Sequence, residues 1–199
     1  MSLPAYPSSA VRASPLVQMC HGAPGLLLLL GAARHHEKLN KYRVPDLEEA
    51  VQLCSERLWE QGLLSKGGGL CHGIGGNAWP WLTLAAAELE NYPHLGEDRS
   101  APADIFLARA LAFLLHARET PPFKPGAESN YRMPDHPYSL YEGLAGTICA
   151  WSEACMLITL RIKLLESPEN KGDDEWVAKH LVSTQGFPGL GGHGAFGLL

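Results

Sequence analysis

The chain has 199 residues, of which 46% are hydrophobic, and its formal net charge is −5 at pH 7. This length and apolar content fit a single folded domain with a sizeable core. The sequence contains no basic run, which argues against nucleic acid as a partner and against a polybasic membrane patch. Residues 22–33, the longest apolar stretch, are too short to cross a membrane, and residues 1–4 lack the features of a signal peptide. We therefore expect a cytoplasmic protein.

Apolar periodicity predicts helices along most of the chain. Residues 26–30 are apolar on every side, as in an inner helix, whereas the helix that starts at Asp46 and stops before Gly62 is amphipathic. Residues 77–89 predict a second inner helix, and residues 103–117 predict a second outer one. Because strand signals are scarce and inner and outer helices alternate, we expect an all-α fold, a partial α/α toroid (barrel) built from helical hairpins.

Three segments between the helices are predicted to be loops. Residues 92–102 and 121–137 are rich in proline, and residues 166–174 are charged. Neither proline-rich segment resembles a domain linker, because each lies between helices of the same period.

A short glycine-rich motif recurs in the sequence. The motif occurs four times, and the intervals between successive copies are 51, 70 and 51 residues. The second residue of the four copies is, in chain order, His21, His72, Glu142 and His193. Repeats of about 50 residues fit two helices with their loops and place the glycine-rich turns at one end of the ring. In the first two copies a cysteine precedes the histidine, so two thiols and two imidazoles could converge as a metal site.

Five cysteines form an odd and sparse set, which does not suggest a secreted disulfide framework, and we expect reduced thiols. We expect Cys54, Cys149 and Cys155 to be small buried hydrophobes.

The motifs resemble the lanthionine synthetase C-like (LanC-like) family. The resemblance rests on Cys-His-Gly-Ala-Pro-Gly at 20–25, on Lys-Gly-Gly-Gly-Leu-Cys-His-Gly at 66–73 followed by Asn-Ala-Trp at 77–79, and on Ser-Leu-Tyr-Glu-Gly-Leu-Ala-Gly-Thr at 139–147. It covers approximately residues 16–150, in the order and spacing of the family.

The resemblance implies a zinc site formed by Cys20, Cys71 and His72. Three protein ligands with an open fourth position are typical of a catalytic zinc. The resemblance further implies that the metal activates a thiol, which adds to dehydroalanine or dehydrobutyrine in a peptide or protein and forms a thioether.

Eukaryotic-type members of the family are associated with glutathione, which implies that Lys66 and Arg132 contact this tripeptide. Arginine matches a carboxylate with its planar fork, and lysine with a point charge. His21, beside the first ligand, is the candidate catalytic residue. Family resemblance alone also suggests plasma-membrane association, which this sequence does not support.

The remaining polar motif residues have simpler interpretations. We expect the glycines around His193 to serve the backbone, Glu142 to cap a helix, and His35 and His36 to interact with a helix dipole.

The sequence also departs from the family. Met19 stands where members carry tryptophan, and the N-terminal half of the family's toroid, with its acid/base histidine and assisting aspartate, has no counterpart in residues 1–199. We therefore expect one LanC-like domain with about four of seven hairpins, poorly stable alone and slow in thiol addition. One alternative is a non-catalytic remnant that binds glutathione or a partner. A second is a carbohydrate-processing toroid, for which Asp135 and Glu142 would be the carboxylate pair.

Overall fold

The computed structural model describes residues 16–35, 45–90, 101–124, 131–166, 179 and 186–189. Five long helices lie within these ranges: α1 (Ala23–His35), α2 (Pro45–Gln61), α3 (Ile74–Glu90), α4 (Ala101–His116) and α5 (Leu144–Glu166), with a 3-10 turn at Ala117–Glu119. The extended pairing within the same ranges is one isolated bridge between Gln18 and His21. The all-α prediction is confirmed.

Helix α3 is the central element of the described structure. Every residue of this helix except Glu88 and Glu90 is buried, and it packs against α1, α4 and α5. Trp79 and Trp81 supply the largest buried side chains on it. A helix that is apolar on all sides must be covered on all sides, so the prediction of an inner helix here is confirmed.

Helix α1 is less enclosed than its sequence predicts. Leu27 and Leu28 are buried, but Leu29 is 65% exposed. The apolar run therefore places one face of α1 against α2 and α3 and leaves another face outward.

Helix α2 is amphipathic, as predicted, and buries Val51, Cys54 and Leu58. It begins at Pro45, one residue before the predicted cap, so Asp46 lies in the first turn, where a negative charge favours the helix N-terminus. It ends at Gln61, directly before the predicted stop at Gly62.

Helix α4 corrects one sequence-based boundary. Ala101 and Pro102 belong to α4, so the loop predicted for 92–102 ends earlier; a proline in the first helical turn loses no intrahelical hydrogen bond. Helix α5 continues to Glu166, beyond the part of the chain covered by the motifs.

Polar contacts join the helices at their edges. Arg34 of α1 contacts both Glu48 of α2 and Glu88 of α3. Arg161 of α5 makes a two-pronged contact with Asp104 of α4 at 2.7 and 2.9 Å. None of the helices in the described part of the chain is long and apolar enough to span a membrane.

Candidate metal centre

The first motif forms a tight turn ahead of α1. The backbones of Gln18 and His21 exchange two hydrogen bonds, of 3.2 and 3.0 Å. Gly22 has a φ of 118°, and a Cβ at this position would lie 2.2 Å from the carbonyl oxygen of Leu16. Only glycine fits such a turn, which presents Cys20 at the surface.

The second motif forms the N-terminal turn of α3. The first three N–H groups of α3 donate to the carbonyl oxygens of residues 67–69 at 2.9, 3.1 and 3.1 Å. The N–H groups that a helix N-terminus leaves unpaired are thus satisfied by the preceding loop. Cys71 and His72 lie between this loop and the helix, half-buried.

Backbone hydrogen bonds hold three of the motif turns side by side. The N–H of Cys20 donates to the carbonyl oxygen of Cys71 at 3.1 Å, and the N–H of Cys71 donates to that of Tyr141 at 2.7 Å. Nδ2 of Asn77, which is fully buried, donates to the carbonyl oxygens of Val17 and Gly62 at 2.9 and 2.8 Å. The glycine-rich turns that precede α1, α3 and α5 therefore cluster at one end of the described structure, as predicted.

The structure brings Cys20, Cys71 and His72 together. One ligand atom from each residue, a sulfur or a ring nitrogen, lies within 4.8 Å of the other two. Ligand atoms in a tetrahedral zinc site are about 3.5–3.8 Å apart, so small side-chain movements would close the site. Two thiols with one imidazole suit zinc, and the exposed Cys20 gives access to solvent. The residues present therefore fit the metal.

The environment of Cys71 favours its protonated form. Burial, followed by the hydrogen bond and charge of Cys20 and then by the negative charge of Glu142, raises the pKa of Cys71 to about 11, against a lowering effect of Lys66. Without a metal this side chain is a neutral thiol at pH 7. Metal binding would have to release its proton.

Gln18 is a polar neighbour of the cluster that sequence reasoning missed. Its Nε2 donates to the Cys20 sulfur at 3.2 Å, and its Oε1 accepts from Lys66 Nζ at 3.3 Å. The sequence offers no signal for this contact, because Lys66 lies 48 positions away.

The two cations expected to contact glutathione lie on neighbouring segments. The backbone N–H of Arg132 donates to the carbonyl oxygen of Ser65 at 2.7 Å, directly before Lys66. Both side chains are exposed. The side chain of Tyr131 contacts His116 at the end of α4, which fixes the start of this segment.

His21 occupies a different position from the three clustered residues. It is half-buried and bonds Gln18 through its backbone, and the metal-ligand group found in the described part of the chain does not include it. In the third motif the Glu142 N–H donates to Ser139 Oγ at 3.2 Å, so Ser139 provides a side-chain cap for that turn.

The structure tests the predictions for the other three cysteines, but not those for His36 and His193. Cys54 is buried as expected and Cys149 packs partly buried against the core. Cys155 is exposed, so the prediction that it is buried is wrong: its position in α5 faces outward. Helix α1 ends at His35, whereas His36 and His193 lie outside the described residues.

Comparison with known proteins identifies relatives for most of this chain. A family model described as lanthionine synthetase C-like protein matches residues 4–154. Glutathione S-transferase LANCL1 of Danio rerio is 37% identical over 133 residues, which are 67% of this chain and 27% of that protein. LanC-like protein GCL1 of Arabidopsis thaliana is 32% identical over 142 residues, 68% of this chain and 27% of that relative. The chain thus spans about a quarter of the length of these curated relatives.

Proposed function

Because the chain belongs to the lanthionine synthetase C-like family, we propose that it binds zinc and joins glutathione, or another thiol, to dehydroalanine or dehydrobutyrine residues of a peptide or protein. The observation that carries this proposal is the convergence of Cys20, Cys71 and His72 within 4.8 Å. Similarity to a protein named glutathione S-transferase supports glutathione as the thiol.

The residues of the chain would hold the metal and leave it accessible. Cys20 and Cys71 would supply sulfur ligands and His72 a ring nitrogen, with Cys20 on the solvent side. When bound, zinc would stabilise the thiolate form of an incoming thiol near neutral pH.

The exposed cations Lys66 and Arg132 would bind and orient glutathione, whose two carboxylates match an ammonium and a guanidinium. The hydrogen bond between Arg132 and Ser65 keeps the two cation-bearing segments together. Orienting the thiol beside its acceptor supplies a proximity advantage.

The overall reaction forms one carbon–sulfur bond at the β-carbon of the dehydroamino acid. The carbon–carbon double bond becomes a single bond, and the proton that leaves the thiol is balanced by a proton gained at the α-carbon. His21, adjacent to Cys20, is the candidate to deliver that proton.

Metal analysis of the purified chain tests the site directly. We expect one zinc per molecule, and we expect Cys71→Ala to lose stoichiometric zinc because two ligands hold the ion far less tightly than three. Cys155→Ser is the matched control, since this exposed thiol lies on α5. Stoichiometric zinc in Cys71→Ala would contradict the site.

Calorimetry with glutathione on the zinc-loaded chain tests the cations. We expect replacement of Lys66 and Arg132 together by alanine to weaken binding about 2- to 30-fold, because ion pairs between exposed groups contribute about 0.2–1 kcal/mol each. The control replaces the exposed Arg118 and Lys163 by alanine. Equal affinities in the two double variants would refute this role.

A binding role without catalysis is the second candidate, because His21, the candidate proton donor, does not belong to the group of Cys20, Cys71 and His72 in the described part of the chain. Incubation of the zinc-loaded chain with glutathione and a dehydrobutyrine peptide, followed by mass spectrometry, separates the two. A thioether product supports the enzyme. Binding of zinc and glutathione without product supports the binding protein.

A further inference from the structure

Gln18 contacts a candidate metal ligand and a candidate substrate-binding cation at the same time. Its Nε2 donates to the Cys20 sulfur at 3.2 Å, while its Oε1 accepts from Lys66 Nζ at 3.3 Å. We propose that Gln18 is a positioning residue that orients the Cys20 sulfur toward the metal and holds the Lys66 ammonium beside it. This inference rests on the proposed function.

Gln18 is buried, and hydrogen bonds hold its backbone in place. The residue is only 7% exposed, and its backbone is paired with His21 through two hydrogen bonds. The preceding carbonyl, that of Val17, accepts from the buried Asn77 amide at 2.9 Å. A buried side chain on a backbone held in this way loses little freedom when it forms its polar contacts, so those contacts act as fixed supports.

The chemistry of the two partners selects one orientation of the amide. An amide has one donor end and one acceptor end. A 180° rotation would place the carbonyl oxygen of Gln18 against the sulfur of Cys20 and the NH2 group against the ammonium of Lys66. Both contacts would then be repulsive for a metal-bound thiolate and a charged lysine. The observed orientation therefore suits an anionic sulfur and a cation.

A residue that supports both groups should affect metal and anion binding together. Hydrogen bonds from outside the ligand set orient metal ligands, and their loss typically costs about 10–100-fold in metal affinity. Loss of the contact to Lys66 frees a long side chain that must be ordered again when an anionic ligand binds. The two effects can be separated, because they use opposite ends of the amide.

Two substitutions at Gln18 separate the effect on metal binding from the effect on anion binding. Gln18→Met keeps the length of the side chain and removes both polar contacts, whereas Gln18→Glu keeps an acceptor for Lys66 and removes the donor to Cys20. We expect both variants to bind zinc about 10–100-fold more weakly in a chelator competition. The exposed Gln52→Met on α2 is the matched control and should bind zinc like the unmodified chain.

The affinity for S-methylglutathione measures the effect of Gln18 on anion binding by Lys66. This compound keeps the carboxylates of glutathione but has no free thiol for the metal. We expect Gln18→Met to bind it several-fold more weakly and Gln18→Glu to bind it at least as well as the unmodified chain. Wild-type affinities of Gln18→Met for both zinc and S-methylglutathione would overturn the inference while leaving the proposed function intact.

A measurement on the unmodified chain covers the case in which the variants do not fold. In the chain loaded with ¹¹³Cd, a hydrogen bond from Nε2 to a metal-bound sulfur should couple the Gln18 side-chain proton to the metal in an NMR spectrum. Coupling to that proton supports the inference, and its absence in a fully loaded sample overturns it. Failure of the unmodified chain to bind any metal would instead overturn the proposed function and the inference with it.

Discussion

The side-chain amide of Asn77 ties two loops to the central helix. It is fully buried and donates to the carbonyl oxygens of Val17 and Gly62. We expect Asn77→Ala to lower the free energy of unfolding by about 2–6 kcal/mol, because each of the two carbonyl oxygens left without its partner costs about 1–3 kcal/mol. Urea denaturation measures the loss, with the exposed Thr159→Ala as control. A loss no larger than that of the control would contradict the role of this amide.

The buried thiol of Cys54 makes the stability of the protein depend on pH. Burial raises the pKa of Cys54 above its ordinary value of 9.0. The unfolded thiol therefore ionises first, so the stability that the buried thiol contributes is complete below about pH 9 and is lost as pH rises through the folded pKa.

Unfolding by urea at pH 8 and at pH 10.5 measures this effect. Between these values we expect the unmodified chain to lose more stability than Cys54→Ala, since the cavity left by the substitution costs the same at both pH values. Cys155→Ser should follow the unmodified chain. Identical losses in the unmodified chain and in Cys54→Ala would show that this thiol does not contribute.

At the scale of elements, the start of α3 depends on close approach between backbones. A Cβ at Gly75 would lie 2.4 Å from the carbonyl oxygen of Gly68, which accepts the Gly75 N–H. A Cβ at Gly31 in α1 would meet side-chain atoms of Thr83 and Leu84, the nearest being the Thr83 methyl group at 3.1 Å. Backbone cannot move aside without breaking the turn that carries Cys71, whereas a side chain can adjust.

Matched alanine substitutions test this difference. We expect Gly75→Ala to lower the free energy of unfolding by about 1–3 kcal/mol, the usual cost of overpacking. Gly31→Ala should lie within about 1 kcal/mol of the unmodified chain, because the helix propensity gained by alanine offsets the contact. Thermal unfolding followed by circular dichroism compares them, and a Gly75→Ala variant as stable as Gly31→Ala would refute the argument.

At the scale of the whole molecule, residues 186–189 pack against the core. The ring centroid of Phe187 lies 5.3 Å from that of Trp79 in an edge-to-face contact. The N–H of Gly186 donates to Glu153 Oε2 at 3.3 Å. These contacts place the segment against α3 and α5, and Gly189 near the Tyr141 hydroxyl.

We expect Phe187→Ala to lower the free energy of unfolding by about 2–4 kcal/mol, slightly less than the usual loss for phenylalanine in the centre of a core. Phe123→Ala, at a side chain that is 42% exposed, is the control and should lose less. Urea denaturation of both variants measures the two losses. If the Phe123 variant lost as much as the Phe187 variant, the anchoring role of the segment would be wrong.

The amino-acid sequence by itself determined the helical class and the inner position of α3, and its resemblance to the family indicated which three of the motif cysteines and histidines cluster. Each of these depends on local information: a period of 3.6 residues, the absence of polar residues from residues 78–87 apart from Thr83, and motifs in which a cysteine, a histidine and a glycine are adjacent. The family resemblance rests on the same short motifs, so it needed no tertiary information.

Only the tertiary structure decided which distant groups meet. Gln18 reaches Lys66, and Arg132 bonds Ser65, because three turns are held together by backbone hydrogen bonds that have no side-chain signature. The exposure of Cys155 and of Leu29 could likewise not be predicted from the sequence. Neighbouring helices determine which face of an apolar helix is covered. Periodicity describes one helix at a time, whereas burial and ligand geometry are properties of the packed set.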